Sequence, residues 1–471
     1  MLLVVFDQYF KNAEKPSLKE FVSDHKQLII DDYEKNHKVR DIWTTRFAKA
    51  HANNYQHLPK KDKPKPDLDG VDWYEITIDI LSKRNSSTYT ESKCSHSSSL
   101  STTTTNSSKV TVTETFLKEF TTDYEKMDDG YKWTLSTGKV VEDILYSYGS
   151  KCCYEDVSHS FILDMACDDI MKNFTKEEIE EIEKKSPHPL PEIPEQLLNY
   201  LNDFIGLTTM EALETRVRKR YFDFHEEFYL DWAQNSIQNV LRLFHAKYFP
   251  LTTQTEADII RRVYTFIDTV FDDKHNLDVR TGEMESTASS DRRNLLREPN
   301  ERKKHGHKSD MLFISFKGEV GCTEVGKKDA GDNGTREKNE LGLKLPKMLK
   351  DQMWKLVHLF PENSSDLVTV GLVMMGLKLR AVILDNPSTY VCRIYKTKPY
   401  FFPTEVETIA NDLGMLLGVT SQIKQLICST VENIGAHKPI RSSGYETTTN
   451  KPELLLPCPM SPKPKKSTTN I

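Results

Sequence analysis

From Thr253 to Leu426 the chain switches repeatedly between two hydrophobic periods, and that alternation restricts the fold more than any other feature. Ile259, Val263, Phe266, Ile267, Val270 and Phe271 recur at helical spacing behind the capping motif Thr253-x-x-Glu256, which predicts an amphipathic helix. Leu277–Glu285, Asp310–Phe316 and Glu319–Lys327 suit strands, and the last two are split by Lys317-Gly318, a two-residue hairpin signal. Leu349, Met353, Leu356, Val357 and Phe360 return to helical spacing. Leu367–Met375, Leu377–Asp385 and Tyr390–Lys396 read as strands, and Thr404-x-x-Glu407 opens a closing helix lined by Ile409, Leu413, Leu416, Ile423 and Leu426. The expected order is helix, three strands, helix, three strands, helix, in an α+β or α/β domain with a mixed sheet over 251–436.

Upstream, residues 110–250 read as a mainly helical module. Thr175-x-x-Glu178 and Thr208-x-x-Glu211 are capping boxes, Pro189 to Pro194 breaks the chain between them, and Tyr221–Phe249 carries the apolar spacing of a packed helix. Residues 1–84 form an N-terminal region containing the basic Pro linker Pro59–Pro66. The Ser/Thr-rich tract 85–109, the polar loop 286–308 and the tail 437–471 bury too little apolar surface to be expected to order. At 471 residues, 37% hydrophobic and 28% charged, the chain is long enough for several cores and reads as a globular protein with disordered segments. Its longest apolar run, Leu367–Leu377, is too short to span a bilayer, so no membrane role is expected. The first seven residues lack the basic lead of a secretory signal. An intracellular location, nucleus or cytoplasm, is the expectation. Eight cysteines without a CxxC pattern then read as free thiols. A net charge of -6 gives no global attraction to polyanions, so any such site must be a local patch.

The chemistry-bearing candidates lie on the Asp310 and Glu319 strands. Pairing about Lys317-Gly318 puts Val325 opposite Asp310, and Glu324 faces it only after a one-residue shift, which a bulge at Gly326 can supply. Two carboxylates facing one another across a strand pair repel, and a hard divalent cation with oxygen ligands is the usual remedy. A nearby ammonium, Lys327, completes machinery suited to metal-assisted phosphodiester hydrolysis. Arg292, Arg293, Lys344, Lys347 and Lys350 can line a phosphate path, with an ordinary solvated helix face as the alternative.

With Asp on one strand and Glu and Lys on the next, this order resembles the PD-(D/E)XK, or restriction-endonuclease-like, nuclease fold. More closely, Gly282-Glu283-x-x-Ser286-x-x-Ser289-Ser290-x-Arg292-Arg293-Asn294, Lys308-x-Asp310, Glu324-Val-Gly-Lys327, Gly334-Thr335 and Lys344-Leu-Pro-Lys347-Met-Leu-Lys350-Asp351 look like an uncharacterised family of early-diverging mucoralean fungi, over about Phe161 to Ile434. The nuclease resemblance implies Asp310 and Glu324 as ligands of Mg2+ or Mn2+, Lys327 as catalytic lysine, and Glu283 or Glu256 as an auxiliary acid, acting on DNA or RNA. One departure stands out. The nuclease signature spaces Glu and Lys two apart, whereas Gly326 occupies that place here and the lysine follows it. The alternative is a nuclease fold that has lost its chemistry and binds nucleic acid or protein. No GxSxG, P-loop or post-strand GxGxxG is present, which argues against a Ser/His/Asp hydrolase, a kinase or a dinucleotide enzyme.

Overall fold

A computed structural model describes 110–436 with breaks at 187, 296, 299, 330 and 332–334, then 455–462, and from the N-terminal region 5–6, 9–10, 15–32, 39–55, 59, 63–68 and 71. The Ser/Thr tract 85–109 and Lys463–Lys466 of the tail lie outside the described residues. Two compact units divide the chain at Thr104. In the first, helices Leu18–Asp24 and Val39–Asn54 bury a knot of aromatic rings, in which Phe6 stacks on Phe21 at 4.6 Å and Trp43 and Phe47 close the sides.

The second unit is built on an eight-stranded mixed sheet. The strands are β1 (Ile162–Asp164), β2 (Leu277–Glu285), β3 (Lys308–Ser315), β4 (Gly318–Gly326), β5 (Val368–Met375), β6 (Lys378–Asp385), β7 (Cys392–Lys396) and β8 (Tyr400–Phe401). Their order is β1-β7-β6-β5-β4-β3-β2, with β8 pairing to β6. The six strands expected from the sequence all form, with ends shifted by two residues at most. β2, β3 and β4 run antiparallel, the chain then crosses over through a helix, and β5 lies parallel to β4. Such a return needs a long connection, and residues 327–367 provide it.

The principal helices are α1 (Phe228–His245), α2 (Glu256–Arg262), α3 (Thr265–Thr269), α4 (Thr287–Arg293), α5 (Leu345–Leu359) and α6 (Gly414–Ala436). The stripe from Ile259 to Phe271 is one apolar face folded as two short helices, α2 and α3. Thr255 caps α2, not Thr253, and does so reciprocally with Asp258, which sets Glu256 in the first turn. Helical backbone runs from Thr335 into α5 through a π turn at Glu340–Lys344. Pro346 lies just beyond it and has no N–H to donate, so the wide turn lets the helix pass the proline.

Three expectations about domains are corrected. Residues 110–250 are not a separate module: β1 is an edge strand of the common sheet, and one apolar core joins Val157, Leu197, Trp232 and Val240 to Phe313, Val370 and Ile427. The loop 286–308 contains α4, whose Ala288, Ser289 and Arg292 are buried. The tail is not wholly free either, because Leu455, Leu456 and Cys458 are buried. Among the described residues no helix is long and apolar enough to cross a membrane. A fragment starting at residue 251 therefore strips β1 and α1 from a shared core. We expect it to show no cooperative thermal transition by circular dichroism, while residues 105–471 melt cooperatively.

Candidate active site

The β3–β4 hairpin decides whether the two key carboxylates can meet. Its turn is Phe316-Lys317, closed by the pair Ser315↔Gly318, one residue earlier than the sequence suggested. Lys317 holds that turn in place by donating from Nζ to the carbonyls of Ile434 (2.6 Å) and Gly435 (2.9 Å) at the C-terminal end of α6, where a cation is favoured. Val320 then bulges out of the ladder, because Ile314 pairs with Glu319 and Phe313 with Gly321. From there the register runs to Met311↔Thr323, and its next step sets Asp310 opposite Glu324. The required shift is thus present, but not at Gly326. That glycine stays in an unbroken ladder with β5 and is tightly packed: an added Cβ would lie 2.4 Å from Met375 Sδ.

A second bulge faces Asp310 from the other side. β2 pairs Thr281 with Met311 and Met284 with Ser309, so Gly282 and Glu283 together oppose the single residue Asp310. Both have positive φ, 100° and 51°, and Glu283 bears the strain of a side chain in that region. Glu283, Asp310 and Glu324 consequently lie in a row across three strands. A cleft of about 610 Å³ opens beside the first two, lined among others by Glu256, Arg261, Glu283, Asp310 and Lys327, while Glu324 is buried behind its lining.

The acids have distinct environments. Asp310 Oδ2 accepts the Val325 N–H at 2.7 Å; burial and the Glu256 carboxylate nevertheless lift its pKa above the usual range. Glu324 is 3% exposed, and burial, with Glu340 and Asp310 nearby, pushes it up to about 7 against the pull of Lys344. Lys344 Nζ lies 2.5 Å from Glu324 Oε2 and 3.5 Å from Glu340 Oε2. Burial opposes the charge on Lys344, but these two carboxylates outweigh it and hold the ammonium above its ordinary value. Glu324 Oε1 is buried with no hydrogen-bond partner among the described residues. Arg336 ties the helical side to the sheet, donating to Glu256 Oε1 (2.8 Å) and to the Val325 carbonyl (2.7 Å).

Lys327 is exposed at the cleft and has no pairing with Glu324, so the ammonium beside Glu324 belongs to Lys344. The other basic candidates are used elsewhere. Lys347, 4% exposed, pairs with Glu155, and Lys350, fully buried, donates to the Ser160 carbonyl. Arg292 is buried against Asp351 at 2.9 Å, and Arg293 donates to the His305 carbonyl. None of Arg292, Lys347 and Lys350 can reach a phosphate backbone from these positions, because each charge is spent satisfying a buried partner. Arg336 and Glu340 went unnoticed in the sequence. The Glu340/Lys344 spacing of four was visible there as a helical ion pair, but the Glu324–Lys344 contact spans the crossover and has no local signature.

Among the described residues no three His, Cys, Asp or Glu side chains are grouped closely enough to enclose a metal ion. Mg2+ commonly takes only one or two carboxylates and completes its shell with water and phosphate, and the unpartnered Glu324 Oε1 beside Asp310 fits that lean mode. Compared with protein-family profiles, curated proteins and solved structures, the chain shows no significant match.

Because the Glu324 pKa is raised on folding, its contribution to stability is fully present below the unfolded value near 4.5 and is lost as pH rises through about 7. Glu324→Gln removes that loss. The variant's unfolding free energy relative to wild type should improve between pH 5 and pH 8 by up to ~3 kcal/mol, at ~1.4 kcal/mol per pK unit, as read from urea titrations at both pH values.

Proposed function

We propose that the second unit is a divalent-metal-dependent phosphodiesterase of nuclease type, built on the α-β-β-β-α-β arrangement formed by α2–α3, β2, β3, β4, α5 and β5. The observation that carries this reading is the register that sets Asp310 against Glu324 at the end of a hairpin, with Glu256 on the leading helix and Lys344 arriving from the crossover. This placement supports the resemblance to the PD-(D/E)XK fold. Asp310 and Glu324 would hold Mg2+ or Mn2+, which when bound would polarise the phosphate and supply an activated water.

The chain's own groups take the remaining roles. Lys344, held by Glu324 and Glu340, is positioned to offset negative charge developing on a phosphate, in place of the lysine that the signature puts two residues after the glutamate. Lys327 and Arg261, at the cleft, are the cations available to flank a scissile phosphate. Glu283, set at the cleft by its bulge, and Glu256, braced by Arg336, are the auxiliary acids. A binding protein that keeps this fold without chemistry is the competing reading, favoured by the short Lys344–Glu324 pair, which already neutralises one carboxylate.

Cleavage of single- and double-stranded DNA and RNA with Mg2+ or Mn2+ decides between them. Asp310→Asn, Glu324→Gln and Lys344→Met should each lower the rate by roughly 100-fold or more, and Lys327→Met by less. Rates unchanged in both carboxamide variants would remove the assignment. A folded wild type that cleaves no substrate would favour the binding reading.

A further inference from the structure

Residues 455–462 cross the surface of α4 and α5 as a strap. Leu455 enters the main core and Leu456 the cluster around Phe120 and Tyr390. Beyond them the strap is held by polar contacts: Cys458 Sγ with the Lys347 carbonyl (3.6 Å), Arg292 Nη1 with the Cys458 carbonyl (3.2 Å), and Lys347 Nζ with the Pro459 carbonyl (3.0 Å). The last of these contacts is Ser461. Its exposed hydroxyl accepts from Lys347 Nζ at 3.0 Å and donates to Glu155 Oε1 at 3.0 Å, at the rim of the buried Lys347–Glu155 pair.

In sequence, Ser461 is followed by Pro462-Lys463-Pro464-Lys465-Lys466. The chain has no Thr-Pro and one other Ser-Pro, at Ser186, which no lysine or arginine follows closely. We propose that Ser461 is a phosphorylation site for a proline-directed serine/threonine kinase that reads the downstream lysines, and that its phosphate releases the strap. In this step Ser461 Oγ attacks the γ-phosphorus of ATP, the bond to the β,γ-bridging oxygen breaks, ADP leaves and the hydroxyl proton passes to the kinase's base. The product carries close to two negative charges where the hydroxyl had donated to Glu155. Lys347, the cation in contact with Ser461, is shared with Glu155, so a phosphate that can no longer donate to that carboxylate meets it as a second anion. Contacts at Pro459 and Cys458 then open together. This inference does not rest on the nuclease reading.

Cys458 reports the event, being 4% exposed when docked. The full chain is treated with ATP and a proline-directed kinase, phosphosites are mapped, and iodoacetamide labelling is timed at each cysteine by mass spectrometry. Exposed Cys153 serves as the fast reference, and buried Cys322 and Cys392 report global unfolding. Expected are phosphate on Ser461 and Cys458 labelling roughly tenfold faster, with Cys322 and Cys392 still protected and Ser461→Ala showing neither change. Absence of phosphate on Ser461 overturns the proposal. So does a phosphorylated chain whose Cys458 labels no faster than in the unmodified protein, or labels together with Cys322 and Cys392.

Discussion

A charge taken out of water must meet a partner or it destabilises the fold, and the crossover helix commits three within five positions: Lys347, Lys350 and Asp351. Two of the partners, Glu155 and Ser160, come from just ahead of β1, and the third, Arg292, comes from α4. Because a helix advances about 1.5 Å per residue, these three contacts leave α5 little freedom to slide or rotate on the sheet. The helix in turn covers β4 and β5: Leu345 fills the space above Gly371, where an added Cβ would lie 2.7 Å from its side chain, and the Leu349 carbonyl accepts from Thr369. One turn earlier the same helix delivers Lys344 to Glu324. The geometry of the candidate site is therefore set from outside it, by buried ion pairs that touch neither Asp310 nor Glu324.

This also explains why strands were legible in the sequence and several site residues were not. Period-two and continuous apolar runs come directly from burial on a sheet, so β2 to β7 could be located to within two residues. Lysines spaced every three residues, Lys344, Lys347 and Lys350, look the same whether a helix face is solvated or holds an interior polar network, and here two of the three are interior. β1, three residues long, is recognisable only from its parallel pairing with β7. The hairpin register failed for a related reason. Gly318 invited a turn at Lys317-Gly318, but Lys317 is engaged by the end of α6, more than a hundred residues away, and the turn sits one residue earlier.

The motif that carried the family resemblance is reinterpreted by these contacts. Ser286, Arg292 and Asp351 belong to a packed polar core: Ser286 donates to Glu319 at 2.6 Å and caps α4, and Arg292 bonds Asp351. Such a network specifies how two helices dock, and a sequence pattern drawn from it identifies an architecture before it identifies an activity. Glu283, Asp310, Glu324 and Lys327 are a separate set, located at one end of three adjoining strands.

Two bulges distinguish that set from ordinary strand ends. Without the extra residue at Val320, Asp310 and Glu324 would not fall opposite each other, since a single step in register turns a side chain to the other face. Without Gly282 and Glu283 sharing one position, the strand beside Asp310 would keep its pleat and avoid a left-handed glutamate. A non-glycine residue in that conformation costs of order 1–3 kcal/mol, and two deviations converging on one aspartate are more than strand pairing alone requires. The expense is intelligible if the row Glu283–Asp310–Glu324 must present its oxygens together, which also concentrates negative charge where burial already lifts Asp310 and Glu324. Lys344 relieves part of that repulsion, and the unpartnered Glu324 Oε1 marks where the remainder stays uncompensated.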